Sequence, residues 1–204
     1  MEKQKKPSGI STSIEIRSSG IQRKTVDFPQ KKSEIELLMA EAFCAGKPAL
    51  NPHIARYGSF TNLEPQPENS LDFSVHTEKG SRWLELAEFA PLNHFGGRYE
   101  NVPATWVIED MQDLFLTLIK KKSSKGYGDG VILLIYKTHD TLFVPPPVLR
   151  CVRSSLISSP PPFDAIYFIS AHSIDHAAVW QVWPDDVTDE GPMFASGTIQ
   201  IGID

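Results

Sequence analysis

The chain has 204 residues, of which 41% are hydrophobic and 22% are charged, and its formal net charge is −5; these values are ordinary for a globular protein. No apolar run approaches the roughly 20 residues that a membrane-spanning helix needs, and no apolar stretch follows the basic N-terminal residues as it does in a secretory signal. These features exclude a membrane protein, a fibrous protein and a wholly disordered chain, and they predict a cytoplasmic protein with one main domain.

The beginning of the chain differs in charge from the rest. Residues 1–32 contain eight basic and three acidic side chains, a net charge of +5, which leaves −10 for the remainder. Because residues 1–26 are polar apart from a short alternation at 13–17, they are predicted to form a basic flexible arm with at most a small edge strand. Such an arm can hold nucleic-acid phosphates or stay solvated, whereas the acidic remainder suits a protein partner.

A first helix is predicted over 28–45. Asp27 resembles a helix N-cap, and Pro29 follows in the first turn, where its missing N–H costs nothing. Helical spacing connects the apolar residues Ile35, Leu38, Met39, Ala42 and Phe43. This helix opens the predicted single domain, which extends over 27–183.

A β-hairpin is predicted next. Apolar and polar residues alternate over 70–76 and again over 82–89, and the residues between them, 78–81, are typical of a tight turn. The hairpin therefore pairs two short antiparallel strands.

Helices and strands alternate in the remainder of the predicted domain. The predicted elements are a helix over 103–122, a strand over 131–136, a helix over 145–156, a strand over 163–170 and a short helix near 174–182. The run VILLIY at 131–136 is apolar throughout, which is typical of a strand covered on both faces. The order helix, hairpin, helix, strand, helix, strand predicts an α/β fold in which helices flank a mixed sheet.

Several remaining features have simple interpretations. Cys44 and Cys151 are predicted to be free thiols within helices of a protein from a reducing compartment. His172 and His176 lie four residues apart and are expected to share one face of the last predicted helix, where a zinc site would still lack a third ligand. The tail 184–204 can add an edge strand near its end.

Two acidic residues of the hairpin are candidates for a metal site. Asp72 alternates with Leu71 and Phe73, and Glu85 lies between Leu84 and Leu86. Residues of equal phase in paired strands face the same side of a sheet, so the two acids can share one face. Two carboxylates on one face repel each other, and a hard divalent cation relieves that repulsion. Such a cation polarises a phosphoryl group and generates hydroxide from water. Solvated acids on a one-sided hairpin are the simpler alternative.

The segment ENSLDFSVHTEKGSRWLELAEFAP at 68–91 resembles the hairpin of the PD-(D/E)XK nuclease superfamily. The restriction-endonuclease-like core of that superfamily has the same order of elements, so the resemblance covers roughly 28–170. It implies that Asp72 and Glu85 are the catalytic, metal-binding acids. It also implies that the backbone carbonyl of Leu86 joins them in binding Mg²⁺ or Mn²⁺.

The hairpin departs from the family pattern at two places. Ser70 and Leu71 stand where the family has a proline, and Ala87 stands where it has the lysine that orients or deprotonates the attacking water. Three interpretations stay open. Glu88 can contribute through a β-bulge, the site can be catalytically inactive, or a cation from elsewhere can replace the lysine. The candidates for that cation are Lys79, Arg82 and Lys137.

Two further residues are weaker site candidates. The resemblance implies another acid from the first helix, and Glu36 falls beside Phe43 at the edge of that helix's apolar stripe. Lys137 follows the covered strand 131–136, at the sheet edge where α/β proteins place their ligands.

The sequence thus predicts a metal-dependent phosphodiesterase that acts on nucleic acid. Backbone phosphates would be held by the basic arm and by the lysines of 120–125. The alternatives are a catalytically inactive binding or regulatory module of the same fold, which Ala87 favours, and an immunity-type protein that binds a protein partner, which the acidic body favours.

Overall fold

A computed structural model describes residues 10–17, 20–46, 51–173, 176–186 and 199–201. The helices are α1 (Lys32–Cys44), α2 (Pro52–Tyr57), α3 (Ile108–Ser123) and α4 (Pro146–Ser158). The strands are β1 (Ile10–Arg17), β2 (Gly20–Asp27), β3 (Phe60–Pro65), β4 (Phe73–Thr77), β5 (Gly80–Glu88), β6 (Val131–Tyr136), β7 (Ala165–Ser173), β8 (His176–Trp183) and β9 (Ile199–Ile201). None of the helices described has the length and apolar character that a bilayer span requires.

The main sheet has six strands in the order β3-β4-β5-β6-β7-β8. Strands β5, β6 and β7 are parallel, whereas β3, β4 and β8 pair antiparallel to their neighbours. Parallel neighbours need crossover connections, and α3 and α4 supply them between β5 and β6 and between β6 and β7. The predicted α/β class, with helices flanking a mixed sheet, is confirmed.

Each face of the sheet is covered by its own hydrophobic core. On one face, α1 packs on residues such as Leu84, Leu86 and Leu134. On the other face, α3 and α4 pack on residues such as Ala87 and Leu133. The central strand β6 is buried along its whole length, because its alternate side chains enter the two cores.

The segment predicted as a flexible arm contains a hairpin in the structure. Strands β1 and β2 pair antiparallel with Ile10 opposite Asp27, and β9 adds parallel to β1 in a separate three-stranded sheet. The predicted capping role of Asp27 is wrong because its backbone belongs to β2, and Phe28 is already buried in the core beside α1. Helix α1 therefore begins at Lys32, beyond Pro29.

The helix predicted near 174–182 is wrong: the described part of this segment, from His176 onwards, belongs to strand β8. Ala177 and Val179 enter one core, while Ala178 and Trp180 enter the other. A strand covered on both faces shows no polar alternation, so its period of two was hidden. His172 belongs to β7 and His176 to β8, so they do not share a helix face.

The other boundaries shift for local reasons. Helix α3 begins at Ile108 instead of 103, because the backbone is still extended at Val107. Two short 3-10 turns, Leu92–Phe95 and Tyr99–Asn101, lie further upstream. Helix α2 and strand β3 had no sequence-based prediction. Both are short, and helix α2 follows Asn51 directly after the 47–50 segment, which lies outside the described residues.

Acid is expected to destabilise the protein through His53, a fully buried residue of α2. Its ring stacks on Phe43 with centroids 4.0 Å apart, and its Nε2–H donates to the Phe43 carbonyl over 2.6 Å. Burial lowers the pKa of His53 from 6.5 to about 4, against the raising effect of that hydrogen bond. The unfolded chain therefore binds a proton that the folded protein excludes between pH 6.5 and 4, so this contribution is complete above pH 6.5 and is lost as pH falls.

The size of the effect is up to about 3 kcal/mol for a shift of this size. Urea unfolding at intervals between pH 4 and 7 measures it, with His53→Gln as the comparison. The wild-type free energy of unfolding should rise more steeply with pH than that of the variant. The difference between the two slopes should correspond to close to one additional proton bound on unfolding. Equal slopes in the two proteins would contradict the buried neutral histidine.

Candidate functional site

The hairpin brings Asp72 close to the backbone beside Glu85. Phe73 pairs with Leu84 at the start of β4, and Asp72 immediately precedes that pair. Asp72 Oδ2 accepts a hydrogen bond from the N–H of Leu86, the residue after Glu85, at 2.7 Å. The Asp72 carboxylate thus satisfies a backbone donor that lies beyond the end of the β4–β5 ladder.

Glu85 is a buried carboxylate surrounded by donors from the α3 side. It is 3% exposed. Its Oε1 accepts from Lys122 Nζ at 2.6 Å and from the Tyr127 hydroxyl at 2.6 Å, and Lys125 Nζ lies 3.4 Å away. Buried carboxylates need compensation of this kind, so the end of α3 and the loop after it fix the position of Glu85.

Lys122 also contacts the backbone next to Glu85. Its Nζ donates to the Leu86 carbonyl oxygen at 2.6 Å. One ammonium group therefore holds both the Glu85 carboxylate and the Leu86 carbonyl, two of the three oxygens that the sequence resemblance implies as metal ligands. The ammonium group thus places a positive charge beside both of these oxygens, as a bound metal ion would.

The two hairpin acids differ in the direction of their pKa shifts. Burial raises the pKa of Asp72, the Leu86 hydrogen bond opposes it, and the charge of Glu85 adds to the rise. Burial would also raise the pKa of Glu85, but the hydrogen bonds from Lys122 and Tyr127 outweigh it and bring the pKa below the ordinary value. Burial and the charge of Glu85 thus favour the protonated form of Asp72, whereas the donors around Glu85 favour its ionised form.

Glu36 lies on α1 close to this pair. It is 8% exposed and pairs with Lys32, with 3.0 Å between Lys32 Nζ and Glu36 Oε1. Burial raises the pKa of Glu36, the Lys32 contacts oppose it, and Asp72 is among the charges that raise it further. The helix stripe that placed Glu36 at the core edge thus brings a third acid to the neighbourhood of Asp72.

The oxygens of this site fit a hard divalent cation in their chemistry. Asp72, Glu85 and the Leu86 carbonyl offer only oxygen, which Mg²⁺ and Mn²⁺ prefer. Considering side chains alone, no group of three or more His, Cys, Asp or Glu residues is placed to hold a metal in the described part of the chain. A cation here would therefore have two carboxylates and a backbone carbonyl as its protein ligands, and water for the rest.

Glu88 is placed apart from Glu85. The alternation of β5 turns it to the α1 face, and its Oε1 accepts a hydrogen bond from the Thr138 hydroxyl at 2.6 Å. Thr138 in turn lies 3.5 Å from the Tyr99 hydroxyl, and Tyr99 stacks on His139 with centroids 4.1 Å apart. Glu88 thus belongs to a polar network at the carboxyl ends of β5 and β6.

The three cations that the sequence suggested as lysine replacements lie away from Glu85, and two of them pair with other acids. Arg82 pairs with Asp164 at 2.9 Å, and its guanidinium lies over the Tyr57 ring. Lys137 is 6% exposed, and its Nζ is 3.8 Å from Asp140. Lys79 lies in the hairpin turn, at the end of β5 opposite to Glu85. None of these three contacts Glu85 or Leu86.

Lys122 and Tyr127 were not predicted as site residues, although Lys122 falls in the stretch predicted to hold phosphates. A signal for Lys122 was present. It continues the buried stripe of α3, whose buried members are Met111, Phe115 and Ile119, at spacings of three or four residues. A lysine in phase with a buried stripe is expected to reach a buried acid. Tyr127 follows the helix and carried no periodic signal.

The cysteines are both free and half-buried. Cys44 ends α1, and burial raises the pKa of its thiol to about 12, with a further rise from Glu41. Cys151 lies on α4. Neither thiol belongs to the cluster around Glu85.

The chain was compared with known proteins at three levels. No protein-family model matches it, and no curated protein sequence matches it. Among solved structures, Pyrococcus furiosus SfsA in complex with Ca²⁺ is similar with a TM-score of 0.23 and 13% sequence identity. The match covers 71% of this chain and 55% of the SfsA chain, so the chain spans about half the length of that protein.

Proposed function

We propose that the protein is a divergent PD-(D/E)XK-type nuclease that hydrolyses phosphodiester bonds of nucleic acid with Mg²⁺ or Mn²⁺. The observation that carries this proposal is the contact of Lys122 with both Glu85 and the Leu86 carbonyl. An ammonium group stands at the acid pair of the hairpin although Ala87 occupies the motif position. In this proposal, the lysine comes from α3 instead of β5.

The order and pairing of the elements support a restriction-endonuclease-like core. Helix α1 precedes the meander β3-β4-β5, and α3 then crosses over to β6, which pairs parallel to β5. This is the order that the sequence resemblance implies. The acid pair lies where β4 begins beside β5. In this proposal a substrate approaches from the side of Asp72, which is half-buried, whereas Glu85 is 3% exposed.

Each residue of the site has its own role in the proposed hydrolysis. Asp72, Glu85 and the Leu86 carbonyl would hold the cation, which would polarise the phosphoryl group and lower the pKa of bound water. Tyr127 holds Glu85 in place through its 2.6 Å hydrogen bond. Lys122 is close enough to Glu85 to orient a water molecule and to stabilise the charge that develops on the phosphate.

The C-terminal end of α3 offers further positive charge for the substrate backbone. Lys120 and Lys121 are exposed in the last turn, and Lys125 is 55% exposed beside Glu85. Phosphate contacts by such lysines give affinity without sequence specificity. The basic N-terminal arm would add to this charge.

Cation-dependent cleavage tests the proposal. The protein is incubated with plasmid and with labelled single-stranded DNA and RNA, with Mg²⁺, Mn²⁺ or a chelator. We expect cleavage that requires the cation and that falls at least about a hundredfold in Glu85→Gln and in Asp72→Asn, since each substitution removes a charged ligand. The control Asp129→Asn removes an exposed carboxylate of the loop after Tyr127 and should retain activity. Cleavage that survives Glu85→Gln would refute the proposal.

A catalytically inactive module of the same fold is the second candidate, and the same Lys122 contact favours it. An ammonium that permanently replaces the cation would leave the acid pair satisfied and inert. Thermal unfolding separates the two functions, because a bound ligand stabilises the folded state. Mn²⁺ should raise the melting temperature of the active nuclease and leave that of the inactive module unchanged.

A further inference from the structure

Lys122 blocks the place that a cation would take at the hairpin. Its Nζ lies 2.6 Å from Glu85 Oε1 and 2.6 Å from the Leu86 oxygen, so it fills the space between these two oxygens. Mg²⁺ needs its ligand oxygens at about 2.0–2.1 Å. A cation bonded to both oxygens in that space would collide with the ammonium nitrogen.

We propose that Lys122 competes with the divalent cation, so that the site binds metal weakly and only when the ammonium withdraws from the Leu86 carbonyl. This inference rests on the proposed function, because it assumes that the cation binds at Glu85 and Leu86. It makes Lys122 a positioning residue with two states: one in which it binds Glu85 and the Leu86 carbonyl together, and one in which it gives up its carbonyl bond.

The surroundings of Lys122 allow such a movement. It lies in the last turn of α3, and its side chain is 17% exposed, so part of its flexible stem borders solvent. When the ammonium withdraws, Tyr127 and Lys125 continue to hold Glu85.

Mn²⁺ binding, measured by the electron paramagnetic resonance of the free ion, tests the competition without reference to activity. We expect Lys122→Gln to bind Mn²⁺ about tenfold or more tightly than the wild type, because the competing positive charge is gone. Its amide can still donate to the carbonyl and the carboxylate, which favours a folded protein. The control Lys121→Gln removes the neighbouring, exposed charge and should leave the affinity unchanged.

A second measurement uses the wild-type protein and so does not depend on the folding of a variant. Lysine acetylation followed by mass spectrometry should find Lys122 protected without metal and more reactive at saturating Mn²⁺. The reactivity of Lys121 should not change. This readout follows the ammonium group itself.

The outcomes separate this inference from the proposed function. Mn²⁺ binding that is no tighter in Lys122→Gln than in the wild type, or protection of Lys122 that Mn²⁺ leaves unaltered, overturns the competition and leaves a metal-dependent nuclease intact. If neither the wild type nor Lys122→Gln binds Mn²⁺, both the inference and the proposed function fail.

Discussion

Lys122→Met is expected to lower the free energy of unfolding by about 3 kcal/mol at pH 7, because the buried Glu85 carboxylate loses its closest cation and keeps only Tyr127 and the more distant Lys125. Glu85 is 3% exposed and receives its only close charged hydrogen bond from Lys122 among the described residues, since Lys125 is farther away at 3.4 Å. The variant also deprives the Leu86 carbonyl of a donor. Urea unfolding of the two proteins measures the difference.

A double-mutant cycle attributes this loss to the pair. In Glu85→Gln the Lys122 charge has lost its anion, so removing Lys122 as well should cost much less than it does in the wild type. We expect a coupling of about 2 kcal/mol, within the range for residues in one buried network. Lys121→Met, which removes an exposed charge from the same turn, should change stability by no more than about 0.5 kcal/mol. Additive losses in the cycle would contradict the buried ion pair.

At low pH, the free energies of unfolding of Lys122→Met and the wild type should differ less than they do at pH 7. In the wild type the hydrogen bonds of Lys122 and Tyr127 outweigh burial and lower the pKa of Glu85, so this carboxylate stabilises the fold above its unfolded pKa and the contribution is lost as pH falls. Without Lys122, burial dominates and the pKa is raised, so the folded variant takes up a proton more readily. The same unfolding experiment at pH 4 and pH 7 follows this change.

The parts of the fold that sequence could predict are those with a clear period. The strand at 131–136 has the observed bounds of β6, because its run of apolar residues is buried on both faces and is bounded by glycine and polar residues. Strands β4 and β5 follow the predicted hairpin, since Phe73 and Leu84 alternate with polar neighbours and do pair. Local pattern and tertiary environment agree at these elements.

Where sequence reasoning failed, tertiary contacts decided the structure. His176–Trp183 contains residues that suit a helix, but pairing with β7 and burial in two cores make it a strand. The alternation alone predicted the acid pair, whereas Lys122, the residue whose ammonium group binds Glu85, lies 37 residues further along the chain. Only the docking of α3 on the sheet brings the two together, and no local spacing encodes that distance.

Phe115→Ala is expected to cost about 3–5 kcal/mol in free energy of unfolding, as core phenylalanine truncations do. Phe115 is fully buried on the α3 face of the sheet and stacks on Phe89, with centroids 4.1 Å apart. It also meets the edge of Phe168 at 5.7 Å. The alanine leaves a cavity between α3 and the sheet that these rings cannot close without moving the helix.

The position of Lys122 depends on this packing, because Phe115 lies two turns before it on the same face of α3. Phe115→Leu refills most of the cavity and should cost about 1 kcal/mol, and Thr117→Ala, on the exposed face, should stay within about 0.5 kcal/mol of the wild type. Chemical unfolding measures all three variants, and acetylation of Lys122 in each shows whether the ammonium stays protected. If Phe115→Ala cost no more than Thr117→Ala, α3 would not be anchored by this stack, and the helix could not hold its lysine on the acid pair.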